Sequence, residues 1–157
     1  MQKMWKLLPL VAAVSLAACT KPADTAPKAD AGAAAGGDSI TVKIGSGAPK
    51  SGGIAHLGAD NEMGAQLAIN EINAKGDLKI GGKKVILELM GEDDAGDPKQ
   101  GTTVAQKMVD AKVVGVVGHL NSGVSIPANA IYAAAGIVQV SPSSTNPDYT
   151  LKGNKTP

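Results

Sequence analysis

Residues 113 to 127 read VVGVVGHLNSGVSIP, and this stretch decides the fold class of the chain. Its first six residues carry no polar side chain, which predicts a strand over residues 113–118 that is buried on both faces of a parallel sheet. A polar loop follows, and then an apolar segment predicts a helix over residues 125–135. Pro127 fits the first turn of a helix N-capped by Ser125 better than a deeper position in a helix that starts at Ser122.

The same alternation of strand-like and helix-like spacing continues on both sides of this stretch. It predicts strands over residues 40–45, 85–90 and 137–141, and helices over residues 60–74 and from Pro98 onward. Asp97 is the expected N-cap of the helix that starts at Pro98. Lys75-Gly76 is the expected end of the helix over residues 60–74. Each helix carries apolar residues on one face, namely Ala65, Ala68, Ile69 and Ile72 in the first and Val104, Ala105, Met108 and Ala111 in the second.

Strands and helices that alternate in this way predict an α/β fold over residues 40–157, a doubly wound parallel sheet with helices on both faces. Ligands bind such sheets at the carboxyl ends of the strands, near the switch in strand order. The loops expected there are residues 46–57, 91–97, 119–124 and 142–145.

The first nineteen residues, MQKMWKLLPLVAAVSLAAC, have the layout of a secretory leader, with lysines, an apolar stretch and small residues in that order. Leu16-Ala17-Ala18-Cys19 resembles the bacterial lipobox, which implies a signal peptide over residues 1–18 and a lipid on the Cys19 thiol. The alternative is a buried cysteine in an apolar helix. Residues 19–39 contain no aliphatic side chain larger than alanine, so we expect a lipidated flexible tether to the membrane.

The composition argues against a nucleic-acid partner. All fifteen basic residues are lysines, and residues 40–157 hold as many acidic residues as lysines, so no excess of basic charge is available for phosphates. Only Tyr132 and Tyr149 are aromatic in that part of the chain, which leaves little to stack on bases or on a flavin.

The cofactor motifs fail on inspection. Residues 47–52 have the GxxxxG spacing of a phosphate-binding loop, but Gly53 stands where that loop needs lysine. A dinucleotide fingerprint would need glycine at Lys50. We therefore expect no cofactor.

The possible metal ligands are also poorly arranged. An acidic cluster, Glu92, Asp93, Asp94 and Asp97, is interrupted by Ala95 and fits a solvated turn with an N-cap better than a calcium loop. With His56 and His119 as the only histidines, a zinc site would need two carboxylates that converge on them. We expect no metal.

Ser122, with His119 three residues before it, raises the possibility of a hydrolase. A nucleophile elbow needs glycine two residues before and after the serine, where this chain has Leu120 and Val124. No acid in the same loop is placed to orient His119. A loop between a buried strand and a helix instead offers free N–H groups and a hydroxyl, which suit a carboxylate ligand. We expect a binding protein and not an enzyme.

Four stretches together resemble one family, the substrate-binding proteins of branched-chain amino acid ABC transporters, of the type I periplasmic binding fold. They are GAPKSGGIAHLGADNEMGAQLAINEINAKG, EDDAGDPKQGTTVAQKMV, VVGVVGHLNSGVSIPANAIY and GIVQVSPSSTNPDYT, and they lie within the folded part, from residue 40 to about residue 150. The resemblance implies a two-lobed protein on the periplasmic face, of which residues 40–157 form an incomplete first lobe. It also implies permease subunits as partners. A sensory ligand-binding domain shares the fold and is the alternative.

The resemblance implies a role for six residues. Ser122 takes the place that holds an amino acid's α-carboxylate, and Thr145 with the Ser143 carbonyl takes the place that holds its ammonium. Leu120 and Asn121 line the pocket. Leu57 stands where several members carry an aromatic ring, so the choice among leucine, isoleucine, valine or another ligand stays open. Thr145 could instead cap a helix ahead of Pro147.

Without a second lobe to close over the ligand, water would compete for each hydrogen bond. We therefore expect the 157 residues alone to bind branched-chain amino acids weakly or not at all. We also expect an unpaired apolar edge at or beside the last strand, and hence aggregation.

Overall fold

The computed structural model describes residues 39–151. The predicted signal peptide, Cys19 and nearly all of the predicted tether lie outside the described residues. Five strands and four helices follow one another as β1 Ser39–Ala48, α1 Ala55–Lys75, β2 Lys79–Ile80, β3 Lys83–Asp93, α2 Pro98–Asp110, β4 Gly115–Gly118, α3 Ser122–Ala134, β5 Val138–Val140 and α4 Asp148–Leu151. Between residues 39 and 151, no helix is both long enough and apolar enough to cross a bilayer.

The strands form one sheet in the order β2-β3-β1-β4-β5. β1 lies between β3 and β4 and is parallel to both, and β5 is parallel to β4. This confirms the predicted doubly wound sheet, with its switch in strand order between β1 and β4. The sequence analysis missed β2, a two-residue strand that pairs antiparallel with the start of β3. Two residues are too few to show an apolar period.

The helices cover both faces of the sheet, as predicted. α1 packs on β1 and β3, whereas α2 and α3 pack on each other and on the opposite face. Asp97 is the N-cap of α2, and its side chain accepts the Gln100 N–H at 2.8 Å. The main core lies beneath α2 and α3 and consists of Val104, Ala105, Met108, Val113, Val116, Ala128, Tyr132 and Ile137.

α1 begins at Ala55, five residues before the predicted start. A Cβ on Gly58 would collide with the Pro49 carbonyl, so the first turn of α1 can lie against the end of β1 only with glycine there. Of the four apolar residues predicted to face the sheet, Ile69 is buried and Ala65 is half-buried, but the prediction is wrong for Ala68 and Ile72, which are exposed. A polar residue contributes instead, because Asn73 pairs with both the N–H and the carbonyl of Leu87 on the free side of β3, at 2.9 and 2.8 Å.

The predicted start of α3 is wrong. The helix begins at Ser122 with Asn121 as its N-cap residue, and Pro127 lies inside it. Proline in a helix interior leaves the carbonyl four residues earlier without its N–H partner, and that residue is Gly123 in the exposed first turn. The Asn121 carbonyl already accepts the N–H groups of Val124 and Ser125, which fixes the turn ahead of the proline.

The third predicted strand is buried on one face only. It corresponds to β4, and although Val113 and Val116 are buried, Val114 is 57% exposed. Val138 and Val140 of β5 are exposed as well. α1 covers β1 and β3, and no described helix covers β4 and β5 on that side of the sheet. β5 is the last strand in the sheet order, so an apolar edge strand is present as predicted, whereas aggregation stays a prediction.

Candidate ligand-binding site

A cleft of about 700 Å³ lies at the carboxyl ends of β1 and β4. It is bounded by the first turns of α1 and α3 and by the loop after β5. All six residues singled out from the sequence line it, together with four others, so that the full lining is Ile54, Leu57, Asp60, Asn61, Leu120, Asn121, Ser122, Gly123, Ser143 and Thr145.

Ser122 joins two of the loops that form the cleft. Its Oγ accepts hydrogen bonds from the backbone N–H groups of Thr145 and Asn146, at 3.0 and 3.2 Å. A hydroxyl has two lone pairs and one hydrogen, so the Ser122 O–H remains able to donate. The N–H groups of Ser122 and Gly123 belong to the first turn of α3 and have no carbonyl within the helix to bond. Three donors therefore lie together at a positive helix terminus.

The loop after β5 presents the opposite polarity. The Ser143 Oγ donates to the Leu120 carbonyl at 2.7 Å, which ties this loop to the one after β4. No donor within residues 39–151 bonds to the Ser143 carbonyl, so this oxygen is free to accept a hydrogen bond. Thr145 does not cap α4, because the Asn146 side chain accepts the Asp148 N–H at 2.9 Å.

Three serine hydroxyls hold the two loops together below the cleft. Ser125 and Ser141 both donate to the His119 carbonyl, at 3.0 and 2.6 Å. The Ser144 Oγ lies 2.7 Å from the Ser125 Oγ and 2.8 Å from the Ser141 Oγ. A carbonyl oxygen has two lone pairs, so Ser125 and Ser141 occupy both acceptor positions of the His119 carbonyl. The three serines thereby fix the spacing between Ser122 and Thr145.

His119 is part of a buried polar chain and not of a catalytic pair with Ser122. Its Nδ1 lies 2.6 Å from the Asp94 carboxylate and its Nε2 lies 3.2 Å from the Tyr132 hydroxyl, and all three residues are 0% exposed. Both ring nitrogens are thus occupied, and neither is available to take a proton from Ser122. The ring lies so close to β1 that a Cβ at Gly47 would be 2.7 Å from its Nδ1.

The interpretation of the acidic cluster as a solvated turn is wrong for Asp94. It is fully buried, and its second oxygen accepts the Gly96 N–H at 2.8 Å. The acid that orients His119 therefore comes from the loop after β3 and not from the loop that carries the histidine. Among residues 39–151, no three histidine, cysteine or acidic side chains converge in a way that could hold a metal ion.

Burial and hydrogen bonding shift three pKa values near the cleft. Burial raises the pKa of Tyr132 well above its ordinary value, and the nearby Asp94 charge raises it further. Burial also raises the pKa of Tyr149, whose hydroxyl donates to the Gln139 carbonyl at 3.1 Å. The backbone N–H of Lys50 stabilises the Asp93 carboxylate at 2.7 Å and lowers its pKa.

The fold agrees with the comparisons to known proteins. Residues 41–155 match the sequence profile of the periplasmic binding protein family. The chain belongs to this family. Two relatives support the assignment. Leu/Ile/Val-binding protein homolog 1 of Brucella suis is 46% identical over 112 residues, 71% of this chain and 29% of that protein. Leu/Ile/Val-binding protein BraC3 of Rhizobium johnstonii is 45% identical over 112 residues, which again are 71% of this chain and 29% of that protein.

A solved structure shows the same fold. The branched-chain amino acid transporter substrate binding protein LivJ of Streptococcus pneumoniae, in complex with isoleucine, is 36% identical to this chain. The two superimpose with a TM-score of 0.66 over 74% of this chain and 32% of that one. This periplasmic binding protein chain thus spans less than a third of the length of the curated relatives it matches.

Sequence reasoning missed Ile54, Asp60, Asn61 and Gly123 in the cleft of this periplasmic binding protein. Ile54, Leu57 and Asn61 are spaced i, i+3 and i+7, so an earlier start for α1 would have placed all three on one helix face. Two buried amide atoms in the cleft wall, Asn61 Nδ2 and Asn121 Oδ1, have no hydrogen-bond partner in the described part of the chain. Such atoms are usually satisfied by ordered water or a ligand.

Proposed function

We propose that this chain forms the first lobe of an extracytoplasmic solute-binding protein, which binds branched-chain or related amino acids and delivers them to the permease subunits of an ABC importer. The observation that carries the proposal is the pairing of opposite polarities in one cleft. Ser122 and the first turn of α3 supply donors, and the loop after β5 supplies the Ser143 carbonyl and the Thr145 hydroxyl.

A zwitterionic amino acid matches this pairing. Its carboxylate needs several donors, which the Ser122 hydroxyl and the N–H groups of Ser122 and Gly123 provide. Its ammonium needs acceptors a few ångströms away, which Ser143 and Thr145 provide. Each hydrogen bond to a charged group contributes about 1.5–3 kcal/mol net. The apolar walls, Ile54, Leu57 and Leu120, suit an aliphatic side chain.

The proposal includes binding without catalysis and a membrane anchor. His119, the histidine nearest to Ser122 in the sequence, is buried and engaged on both ring nitrogens, which supports a ligand-holding role for Ser122. The lipobox-like sequence before Cys19 supports acylation of that thiol and residence on the periplasmic face. Metabolic labelling with a radioactive fatty acid tests this part, since Cys19→Ala should abolish incorporation.

The binding function is tested in a chimera that continues this chain with the remaining part of the Brucella suis relative. We expect calorimetry to show micromolar or tighter binding of leucine, isoleucine or valine. The 157-residue chain, titrated in parallel, should bind at least tenfold more weakly, because one lobe leaves its ligand open to water. A folded chimera that binds none of the three amino acids would contradict the proposed ligand class.

A further inference from the structure

The end of the sheet opposite the cleft is basic. Five lysines lie near the amino ends of the strands, and we call this group the basic end. They are Lys75, Lys79, Lys83, Lys84 and Lys112. They are five of the nine lysines between residues 39 and 151, and all five are exposed. None of them forms a salt bridge with another residue in that range. Their charge is therefore not neutralised by direct pairing within the lobe.

The acidic residues are concentrated at the other end. Seven of the eleven in residues 39–151 lie on the carboxyl-end loops or the adjoining helix turns, namely Asp60, Glu62, Glu92, Asp93, Asp94, Asp97 and Asp148. Three acids, Asp77, Asp110 and Glu71 one turn before Lys75, lie near the basic end, against its five lysines. The lobe is thus electrically polar along the strand direction, although the net charge of the whole chain is only +1.

Two exposed apolar side chains accompany the lysines. Leu78 is 37% exposed and Ile80 is 56% exposed, and both belong to the hairpin formed by β2 and the start of β3. Gly81 and Gly82 form its tip, both with positive φ, so the hairpin projects as a narrow turn. Lysines around exposed aliphatic residues form the pattern of a surface that contacts lipid headgroups.

The chain enters the lobe at the same end. β1 starts at Ser39, and Ser39 is paired in register with Lys84 of the basic end. In the sequence, Cys19 precedes Ser39 by twenty residues, and a chain of that length reaches at most about 70 Å. An acylated Cys19 would therefore keep the basic end closer to the bilayer than the cleft.

We propose that the basic end docks on the anionic surface of a phospholipid bilayer, with the lysines against lipid phosphates and Leu78 and Ile80 at headgroup depth. The inference rests on the proposed membrane anchor for bringing the lobe to the bilayer. Docking in this way turns the acidic end, and with it the cleft, toward the aqueous phase. Each lysine is expected to strengthen binding to the bilayer about fivefold. Salt should weaken binding, because at about 0.1 M it screens charges that are more than about 10 Å apart.

Lysine acetylation measured by mass spectrometry tests the docking. The full chain is bound to vesicles of phosphatidylglycerol or of phosphatidylcholine, and the acetylation rates of single lysines are compared. We expect Lys79 and Lys83 to react at least threefold more slowly on phosphatidylglycerol, and added salt to remove the difference. Lys99, at the start of α2 near the acidic end, should react equally on both and serves as the internal control.

Two paired variants separate location from net charge. Lys79→Gln with Lys83→Gln should abolish the protection of Lys84, whereas Lys99→Gln with Lys107→Gln, which removes the same charge elsewhere, should leave it intact. Equal acetylation on both vesicles, loss of protection in both variants, or no association with phosphatidylglycerol would overturn the docking. Protection in intact cells but not on vesicles would point to an acidic protein partner and would also overturn it. Amino acid binding by the chimera is unaffected by these outcomes and fails or succeeds separately.

Discussion

The hydroxyl oxygen of Ser122 accepts the backbone N–H of Thr145 at 3.0 Å. The two residues follow different strands of the sheet, β4 and β5, and are the ones that we propose to contact the opposite charges of an amino acid. One side chain thus holds the loop after β5 in place and keeps a hydrogen free to donate. If both loops hold the ligand as proposed, a tie made by the chain's own groups lowers the ordering cost of binding.

Ser122→Ala should weaken leucine binding by the chimera by roughly ten- to a hundredfold, because a donor to a charged group is lost together with the bond to Thr145. Calorimetry measures the change. Thr103→Ala removes an exposed hydroxyl on α2 and is the matched control. It should leave the dissociation constant within about twofold of that of the parent chimera. An unchanged affinity in a folded Ser122→Ala chimera would remove the carboxylate role.

Thr145 allows a sharper comparison. Thr145→Val keeps the shape of the side chain and the N–H that bonds Ser122, but removes the hydroxyl proposed to contact the ammonium. Thr145→Ser keeps that hydroxyl. We expect the valine variant to lose roughly tenfold or more in leucine affinity and the serine variant to lose little. A valine variant that binds leucine as tightly as the parent would show that the Thr145 hydroxyl does not contact the ammonium.

Gly58 and Gly64 lie on the same helix but in different surroundings. A Cβ at Gly58 would collide with the Pro49 carbonyl, whereas nothing lies within 4 Å of the Cβ position at Gly64. Gly58→Ala should lower the free energy of unfolding by about 1–3 kcal/mol, and Gly64→Ala should raise it by about 0.5–1 kcal/mol through helix propensity. Urea denaturation of the two variants measures both. Changes of the same sign would contradict the close approach of α1 to β1.

Local sequence signals predicted the parts of the fold that local chemistry controls. Asp97 and Pro98 marked the start of α2 because an N-cap and its proline act within one turn. The six residues that the family resemblance singled out all line one cleft, because strand ends in a parallel sheet converge at the same edge, whereas their roles toward a ligand stay a prediction. The start of α3 was missed because the local preference of Pro127 is outweighed by the first turn around Asn121. No local signal could pair Asp94 with His119, which lie 25 residues apart.

That buried pair should contribute to stability. Asp94→Asn replaces a carboxylate that contacts His119 Nδ1 and the Gly96 N–H in a site without solvent, and loss of a hydrogen bond to a charged group costs about 1.5–3 kcal/mol. Asp77→Asn, at an exposed acid, should change the free energy of unfolding by less than about 0.5 kcal/mol. Urea denaturation at neutral pH compares the two. Equal effects would mean that the Asp94 carboxylate is not needed to hold His119.

Tyr132 should make the fold sensitive to alkali. Its pKa is raised in the folded state by burial and by the Asp94 charge, so the unfolded chain ionises first as pH rises past about 10. The stability that the protonated phenol contributes is complete below that pH and is lost as pH rises toward the folded-state pKa, by up to about 1.4 kcal/mol per pH unit. Tyr132→Phe cannot ionise there and isolates this effect from the lysines, which titrate in the same range.

At neutral pH, Tyr132→Phe should be the less stable protein, because Met108 and His119 lose a hydroxyl that lies 3.3 and 3.2 Å away. Above about pH 10 the difference should shrink and then reverse, since only the parent loses stability through this phenol. Urea denaturation across the alkaline range, with Tyr149→Phe as a comparison at a less buried phenol, measures the crossing. A difference between parent and Tyr132→Phe that stays constant with pH would show that the Tyr132 phenol ionises equally easily in the folded and unfolded chain.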